Sequence, residues 1–275
     1  MFSFIKNRRV KRLSDKATKL MKKGDYGAAL SHFRKAVKLD NYNEYCLINI
    51  GYILDLLSDG QIGIEWYDVV LKLNPDNANA LSFKGLSLGL SGKFNESLEN
   101  YKKVLKILND DEIKKCNPTI FSEIASVYLG LDNPKCAMKY LKKGLKIDPY
   151  FLITICSVGK VFNYLGDFNE AITYFDRAIS LKTSTRSKTW HYDKYTFIYS
   201  GKAVALFKLG KYEDVLSLLD KALDIREFDV YALYWKHKVL KFFNEDEEAE
   251  KYSNLLDIFD DDYIDNFKVV GLIYE

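Results

Sequence analysis

The sequence predicts an all-α solenoid, a row of antiparallel helix pairs stacked side by side. Three observations carry this. A helix–turn–helix pattern recurs at a fixed spacing, small residues recur in phase with it, and the 275 residues include only four prolines. Proline removes a backbone donor and breaks helices, so its scarcity suits a helical chain. A solenoid also escapes the size limit of a single globular core, because each repeat touches only its neighbours.

The pattern is clearest in Val158–Leu181, VGKVFNYLGDFNEAITYFDRAISL. Gly159, Phe162, Ala171, Phe175 and Ala178 fall on one helical face, in steps of three and four within each half. Gly166 suits a helix end that needs positive φ, and Asp167 suits the cap of the next helix. The turn recurs at Gly24-Asp25-Tyr26, Ser58-Asp59-Gly60, Gly92-Lys93-Phe94, Asp132-Asn133-Pro134, Gly210-Lys211-Tyr212 and Asn244-Glu245-Asp246. The steps are 34, 34, 40, 34, 44 and 34 residues, so six and ten residues are inserted at two places.

A 34-residue helix–turn–helix period resembles the tetratricopeptide repeat family. The resemblance covers Val10 to Asp260 in seven units. The family's small residue of the first helix falls at Ala17, Gly51, Gly85, Ala125, Gly159 and Ala203, with His237 departing in the seventh unit. In the second helix the first small position reads Ala29, Gly63, Ser97, Ala137, Ala171, Val215 and Ala249. The next, larger position reads Phe33, Tyr67, Tyr101, Leu141, Phe175, Leu219 and Ser253. The last small position reads Ala36, Val70, Val104, Gly144, Ala178, Ala222 and Leu256. The resemblance implies a right-handed superhelix. The resulting division is a basic arm at 1–9, repeats near 10–43, 44–77, 78–111, 118–151, 152–185, 196–229 and 230–259, and an acidic, apolar cap at 260–275.

Taken in order, the chain starts with MFSFIKNRRVKR, apolar residues before charges, the reverse of a secretory signal. Phe2, Phe4 and Ile5 either cover the open end of the first repeat or form a basic-apolar foot for a membrane surface or an acidic partner. Residues 1–40 hold twelve Lys/Arg and three Asp, +9, and residues 243–275 hold eleven Asp/Glu and two Lys, −9. These are two solvated ends or the basis of weak, salt-sensitive head-to-tail self-association. The six-residue insertion near Glu112–Asn117 is expected to lengthen the second helix of the third unit, with Pro118 opening the next helix. Asn133-Pro134 reads as an N-cap followed by proline at the first helical position. The ten-residue insertion, Arg186–Tyr195, sets Trp190, His191 and Tyr192 among cations. It reads as a loop or helix extension, or as a nucleic-acid contact. Ile264, Phe267, Val270, Leu272 and Ile273 in the tail suit a helix that hides the last repeat's apolar face.

Catalytic chemistry finds no foothold. His32, His191 and His237 lie far apart, and Cys46, Cys116, Cys136 and Cys156 lack metal-ligand spacing. The thiols read as reduced. Gly201-Lys202 lacks the rest of a phosphate loop, having Thr196 and Ala203 where Gly and Ser/Thr are needed. Asn95-Glu96-Ser97 is a chance glycosylation triplet, because Ser97 is a packing position. No enzyme activity, cofactor or metal is expected. No apolar run is long enough to span a bilayer. The net charge of only +3 makes nucleic acid an unlikely partner. The chain reads as cytoplasmic.

What remains is binding. The resemblance implies that the first helices line a concave face. Its candidate residues are Tyr45, Ile48, Asn49 and Tyr52 in the second unit, and Asn79, Phe83 and Leu86 in the third. Later units add Lys160, Asn163 and Tyr164, then Phe197 and Phe207, then Tyr234, Trp235 and Lys238. Aromatic side chains are enriched where partners dock. The expected function is therefore a scaffold or adaptor that holds a peptide segment or helix of another protein. The rival is a nucleic-acid or anionic-surface binder using the basic arm and the 186–195 insertion. Family members that grip a C-terminal carboxylate use Lys, Asn and Arg at positions that read Ser14, Thr18, Asn49, Asn79 and Phe83 here. Only Asn49 matches, so that type of recognition is not expected.

Overall fold

The computed structural model describes residues 2–57, 62–116, 119–183 and 196–258. Among the described residues there are fifteen helices and no strand. The chain is an all-α solenoid of helix pairs, and it divides into two compact units after Asn109.

The first unit contains α1 (Phe2–Met21), α2 (Tyr26–Leu39), α3 (Glu44–Leu57), α4 (Gly63–Leu73), α5 (Ala78–Leu90) and α6 (Phe94–Ile107). The second opens with α7 (Asp110–Cys116), α8 (Ile120–Gly130), α9 (Pro134–Ile147), α10 (Leu152–Leu165) and α11 (Phe168–Thr183). It continues with α12 (Thr196–Lys208), α13 (Val215–Ile225), α14 (Val230–Phe242) and α15 (Asp246–Leu256).

Each described turn is made the same way. Gly24, Gly92, Gly166 and Gly210 take positive φ, and Asp132 (φ 52) and Asn244 (φ 60) take it without glycine. Asp and Asn tolerate this region because their short polar side chains bond locally. After five of these residues the next helix starts two residues on, whereas four residues separate Gly210 from α13. Asp25 accepts a hydrogen bond from the Ala28 N–H, and Asn133 does so from Cys136, with Pro134 as the first helical residue. The turn expected at Ser58-Asp59-Gly60 lies outside the described residues.

Packing follows the in-phase positions. Every small, large and small position of the pattern is buried except His237 and Ser253 of the last repeat. Glycine matters most where a ring crosses a backbone. A Cβ at Gly51 would lie 2.8 Å from the Tyr67 ring, one at Gly159 2.9 Å from the Phe175 ring, and one at Gly201 2.5 Å from that same ring. Phe175 is thus held between the first helix of its own repeat and the first helix of the next. After α1, the first helices are enclosed on more than one side and read apolar nearly all round; α10 buries nine residues. Second helices face solvent outward and are strongly amphipathic. In α9, Ala137, Leu141 and Gly144 are buried while Lys135, Lys139, Lys142, Lys143 and Lys146 are exposed.

Two expectations are corrected. The six-residue insertion does not lengthen α6, which ends at Ile107 with Leu108 extended; it forms the separate short helix α7. Asp110, Asp111 and Glu112 would oppose the negative C-terminal end of α6, whereas at the start of a new helix they meet its positive end. Buried Ile113 anchors that helix. At the other end, residues 2–9 continue α1, and Phe4 and Ile5 stand 72% and 58% exposed, so they cover no repeat. Pro118, the 186–195 insertion and the 260–275 tail lie outside the described residues.

Candidate protein-binding faces

Within each unit the first helices of successive repeats lie side by side: α3 with α5, and α8, α10, α12 and α14 in turn. The candidate residues lie on these helices, some exposed and some buried, and the two units are different.

In the first unit the face is aromatic and amide-bearing. Tyr45 is half exposed, and its hydroxyl shares a 2.7 Å hydrogen bond with Thr18 Oγ1 of α1. Asn49 Nδ2 donates to the Tyr45 carbonyl at 2.7 Å, which fixes its amide along the helix. Below them Tyr52 and Phe83 pack with ring centroids 5.2 Å apart, and Phe83 stacks on Tyr67 at 6.0 Å. Asn79 is exposed and Leu86 half-buried. Ile48 is buried beneath the face, in the cluster with Tyr67 and Val70.

In the second unit, lysines lie over rings. Lys160 Nζ is 3.6 Å from the Phe197 ring centroid, Lys208 is 5.7 Å from that of Trp235, and Lys238 is 5.6 and 5.3 Å from those of Tyr234 and Trp235. Such contacts contribute about 0.5–1 kcal/mol each at exposed sites. Phe207 meets the edge of Trp235 at 6.1 Å. Trp235 is fully buried and forms a floor, not a contact surface. Asn163 is also buried: its Nδ2 donates to the Gly201 carbonyl at 2.9 Å, joining α10 to α12, and its Oδ1 has no hydrogen-bond partner. Tyr164 donates to Asp132 in the turn before α9. That hydrogen bond, together with some burial, pushes its phenol up to about 12.

Some features escaped sequence reasoning. Asp55, at the end of α3, accepts from the Gly63 N–H at 2.7 Å, the Tyr67 hydroxyl at 2.9 Å and the Ser87 hydroxyl. It ties two repeats together, and burial with the adjacent carboxylate drives the Tyr67 phenol far up. An ion pair also recurs between neighbouring repeats. Asp68 meets Lys84 at 2.5 Å, Asp176 meets Lys202 at 2.5 Å, and Asp220 meets Lys236. The signal was present as an Asp-to-Lys spacing of 16 residues, lengthened by the ten-residue insertion in the middle case.

Among the described residues no cluster of His, Cys, Asp and Glu could hold a metal ion, and no helix is long and apolar enough to cross a membrane. Cys46 and Cys156 are buried, and burial pushes their thiols up to about 11 and about 12. Gly201-Lys202 lies inside α12, with Lys202 committed to Asp176. Ser97 is fully buried and donates to the Gly85 carbonyl at 2.5 Å.

The family model described as tetratricopeptide repeat matches residues 16–43, 119–151 and 154–185. These stretches carry the same small, large and small positions that bury here. The chain carries tetratricopeptide repeats over these three stretches. A TPR repeat-containing protein of Methanocaldococcus jannaschii is 24% identical over 239 residues, which cover 83% of this chain and 41% of that one. The chain therefore spans less than half the length of that relative. Among solved structures, one chain of the APC/C hetero-tetramer Cut9–Hcn1 superposes with a TM-score of 0.71 at 14% identity, over 92% of this chain and 48% of that one. A tetratricopeptide repeat protein from Parabacteroides merdae gives 0.65 at 18% identity, over 96% and 99%. The type IV pilus biogenesis factor PilW gives 0.62 at 18%, over 78% and 92%. At these identities the structural likeness concerns the fold. Tetratricopeptide repeats are protein–protein interaction scaffolds, generally without enzymatic activity.

Proposed function

We propose that this chain is a non-enzymatic adaptor that holds an extended segment or helix of another protein against the outward side of its first helices. The observation that supports this reading is a division of labour within those helices. The repeat positions are fully buried, while aromatic, amide and aliphatic side chains between them remain at least partly open: Tyr45, Asn49, Asn79 and Leu86 on α3 and α5, above Tyr52. A ligand laid across such a row would meet a firm aromatic floor with amides at its edge, the composition of a docking groove. The adaptor acts in the cytoplasm.

A pull-down from nuclease-treated lysate tests it. The substitutions Tyr45→Ala, Asn49→Ala, Asn79→Ala and Leu86→Ala strip the face and spare Phe83, whose ring supports Tyr67. Glu65→Ala with Lys72→Ala, exposed on α4, serves as the control. The expected result is a protein held by wild type and control and lost by the face variant, with all three equally helical by circular dichroism. Identical captures by all three would remove the function from this face.

A further inference from the structure

We propose that the outward side of α1 docks on the surface of an anionic lipid bilayer. This inference is independent of the peptide face, which lies on other helices. Helix α1 runs without a break from Phe2 to Met21, about 30 Å at 1.5 Å per residue. Its inward side is set by buried Val10, Ser14 and Ala17, which pack on α2 and the start of the first core. Steps of three and four place Ile5, Arg8, Arg12 and Lys19 on the opposite side, with Phe4 and Lys16 flanking them.

Two facts about that side go together. Arg8, Arg9, Lys11, Arg12, Lys16 and Lys19 lie on or beside it with one acid, Asp15, and none of the six enters an ion pair among the described residues. Beside them Phe4 and Ile5 are the most exposed large apolar side chains of the first unit apart from Tyr42 and Leu57, at 72% and 58%. Phosphate chains of nucleic acid would satisfy the cations and leave two apolar groups in water. The acidic end of a second copy is separated from a bilayer by the light-scattering arm of the test below. A bilayer interface satisfies both at once: anionic headgroups meet the basic shaft, and the apolar pair enters the headgroup–acyl boundary. A helix of strong polarity and low overall hydrophobicity lies on such a surface and does not span it.

The test is co-sedimentation of the whole chain with sonicated vesicles of phosphatidylcholine alone, or with an equal share of phosphatidylglycerol. The proposal expects sedimentation only with phosphatidylglycerol, weakening as salt rises. A basic residue near an anionic surface is worth about five-fold in partition, so Arg8→Gln with Arg12→Gln lowers it about 25-fold. Phe4→Ser with Ile5→Ser lowers it about ten-fold or more. All four positions are exposed, so both variants keep the wild-type circular dichroism spectrum. No sedimentation with the mixed vesicles overturns the proposal. So does loss in the arginine variant with no change in the Phe4/Ile5 variant, which would mark a purely electrostatic patch for nucleic acid or an acidic protein. Salt-sensitive dimerisation in light scattering that depends on Arg8 and Arg12, without vesicle binding, assigns the helix to a second copy and likewise overturns it.

Discussion

Gly201→Ala decides whether the solenoid is held together by the fit of rings to glycines. The substitution sits inside α12, where alanine is about 1 kcal/mol better than glycine on helix propensity alone. Geometry opposes it. The new Cβ would lie 2.5, 2.9 and 3.1 Å from three atoms of the Phe175 ring, and that ring is fully buried. It has no retreat, because the place of a Cβ on Gly159 lies 2.9 Å from the same ring. Overpacking of this kind costs about 1–3 kcal/mol, so the balance is a net loss of up to about 2 kcal/mol. Gly27→Ala is the contrast: it lies in α2 with nothing within 4 Å of its Cβ, and gains about 0.5 kcal/mol. Thermal and urea melts followed by circular dichroism read both signs, at about 2–4 °C per kcal/mol for a unit of this size. Phe175→Leu closes the cycle. Alone it costs about 1 kcal/mol through lost packing, and combined with Gly201→Ala it costs less than the sum, because the ring atoms in conflict are gone. The reasoning fails if Gly201→Ala stabilises as Gly27→Ala does, or if the two losses simply add.

Three further outcomes follow from particular contacts. Asp55→Ala removes one carboxylate from three donors, Gly63, Tyr67 and Ser87, and lowers stability by about 2–3 kcal/mol in urea titration, more than any exposed Asp→Ala control. Along the ion-pair series, Asp220→Ala costs about 1–2 kcal/mol because it takes the carboxylate from Lys236, whose side chain is only 7% exposed, and leaves Tyr252 beside it. Asp176→Ala costs under about 1 kcal/mol because Lys202 remains partly in water, and the same melts rank the two. The buried Cys156 thiol keeps its proton up to about 12 in the folded chain, against about 9 unfolded. Its stabilising share is therefore complete below pH 9 and lost as pH rises from 9 to 12; melts over that range lose less stability in Cys156→Ala, and iodoacetamide at pH 8 labels Cys156 only after unfolding.

The repeat frame was legible because it is written in residue size. Where two helix backbones approach, only Gly, Ala, Ser or Val fits, and Gly51, Gly85, Gly159 and Ala171 announce those places without an alignment. The turns were legible for the same reason, since Gly24, Gly92, Gly166 and Gly210 answer a backbone demand for positive φ. The start of α7 was less so. Six residues with helical propensity can extend a helix or begin another, and the choice rested on the dipole at Asp110–Glu112, an effect smaller than propensity summed over a turn. The Asp55 node and the Asp–Lys series were invisible for a different reason. They are pairings across repeats among residue types common on any solvated face, and their spacing gains meaning only once the frame is fixed.

The candidate face shows where such reading ends. Lys160, Asn163 and Tyr164 were placed on one face by helical spacing, yet Lys160 lies over a ring, Asn163 is buried in a bond to α12, and Tyr164 turns to Asp132. A step of one residue turns a helix by about a quarter of its circumference, and neighbouring helices on both sides claim part of what remains. Spacing therefore names the helix that carries a candidate face, while the packing of the next repeat selects the side chains left open on it. In the first unit that selection leaves Tyr45, Asn49 and Asn79 open above Tyr52 and Phe83; in the second it leaves cations, Lys208 and Lys238, above the buried Trp235. One repeat frame thus carries two chemically different surfaces. A ligand segment that prefers one should discriminate by charge: raising salt weakens binding to the second unit and leaves binding to the first nearly unchanged, and a peptide whose affinity for both responds equally to salt would refute the distinction.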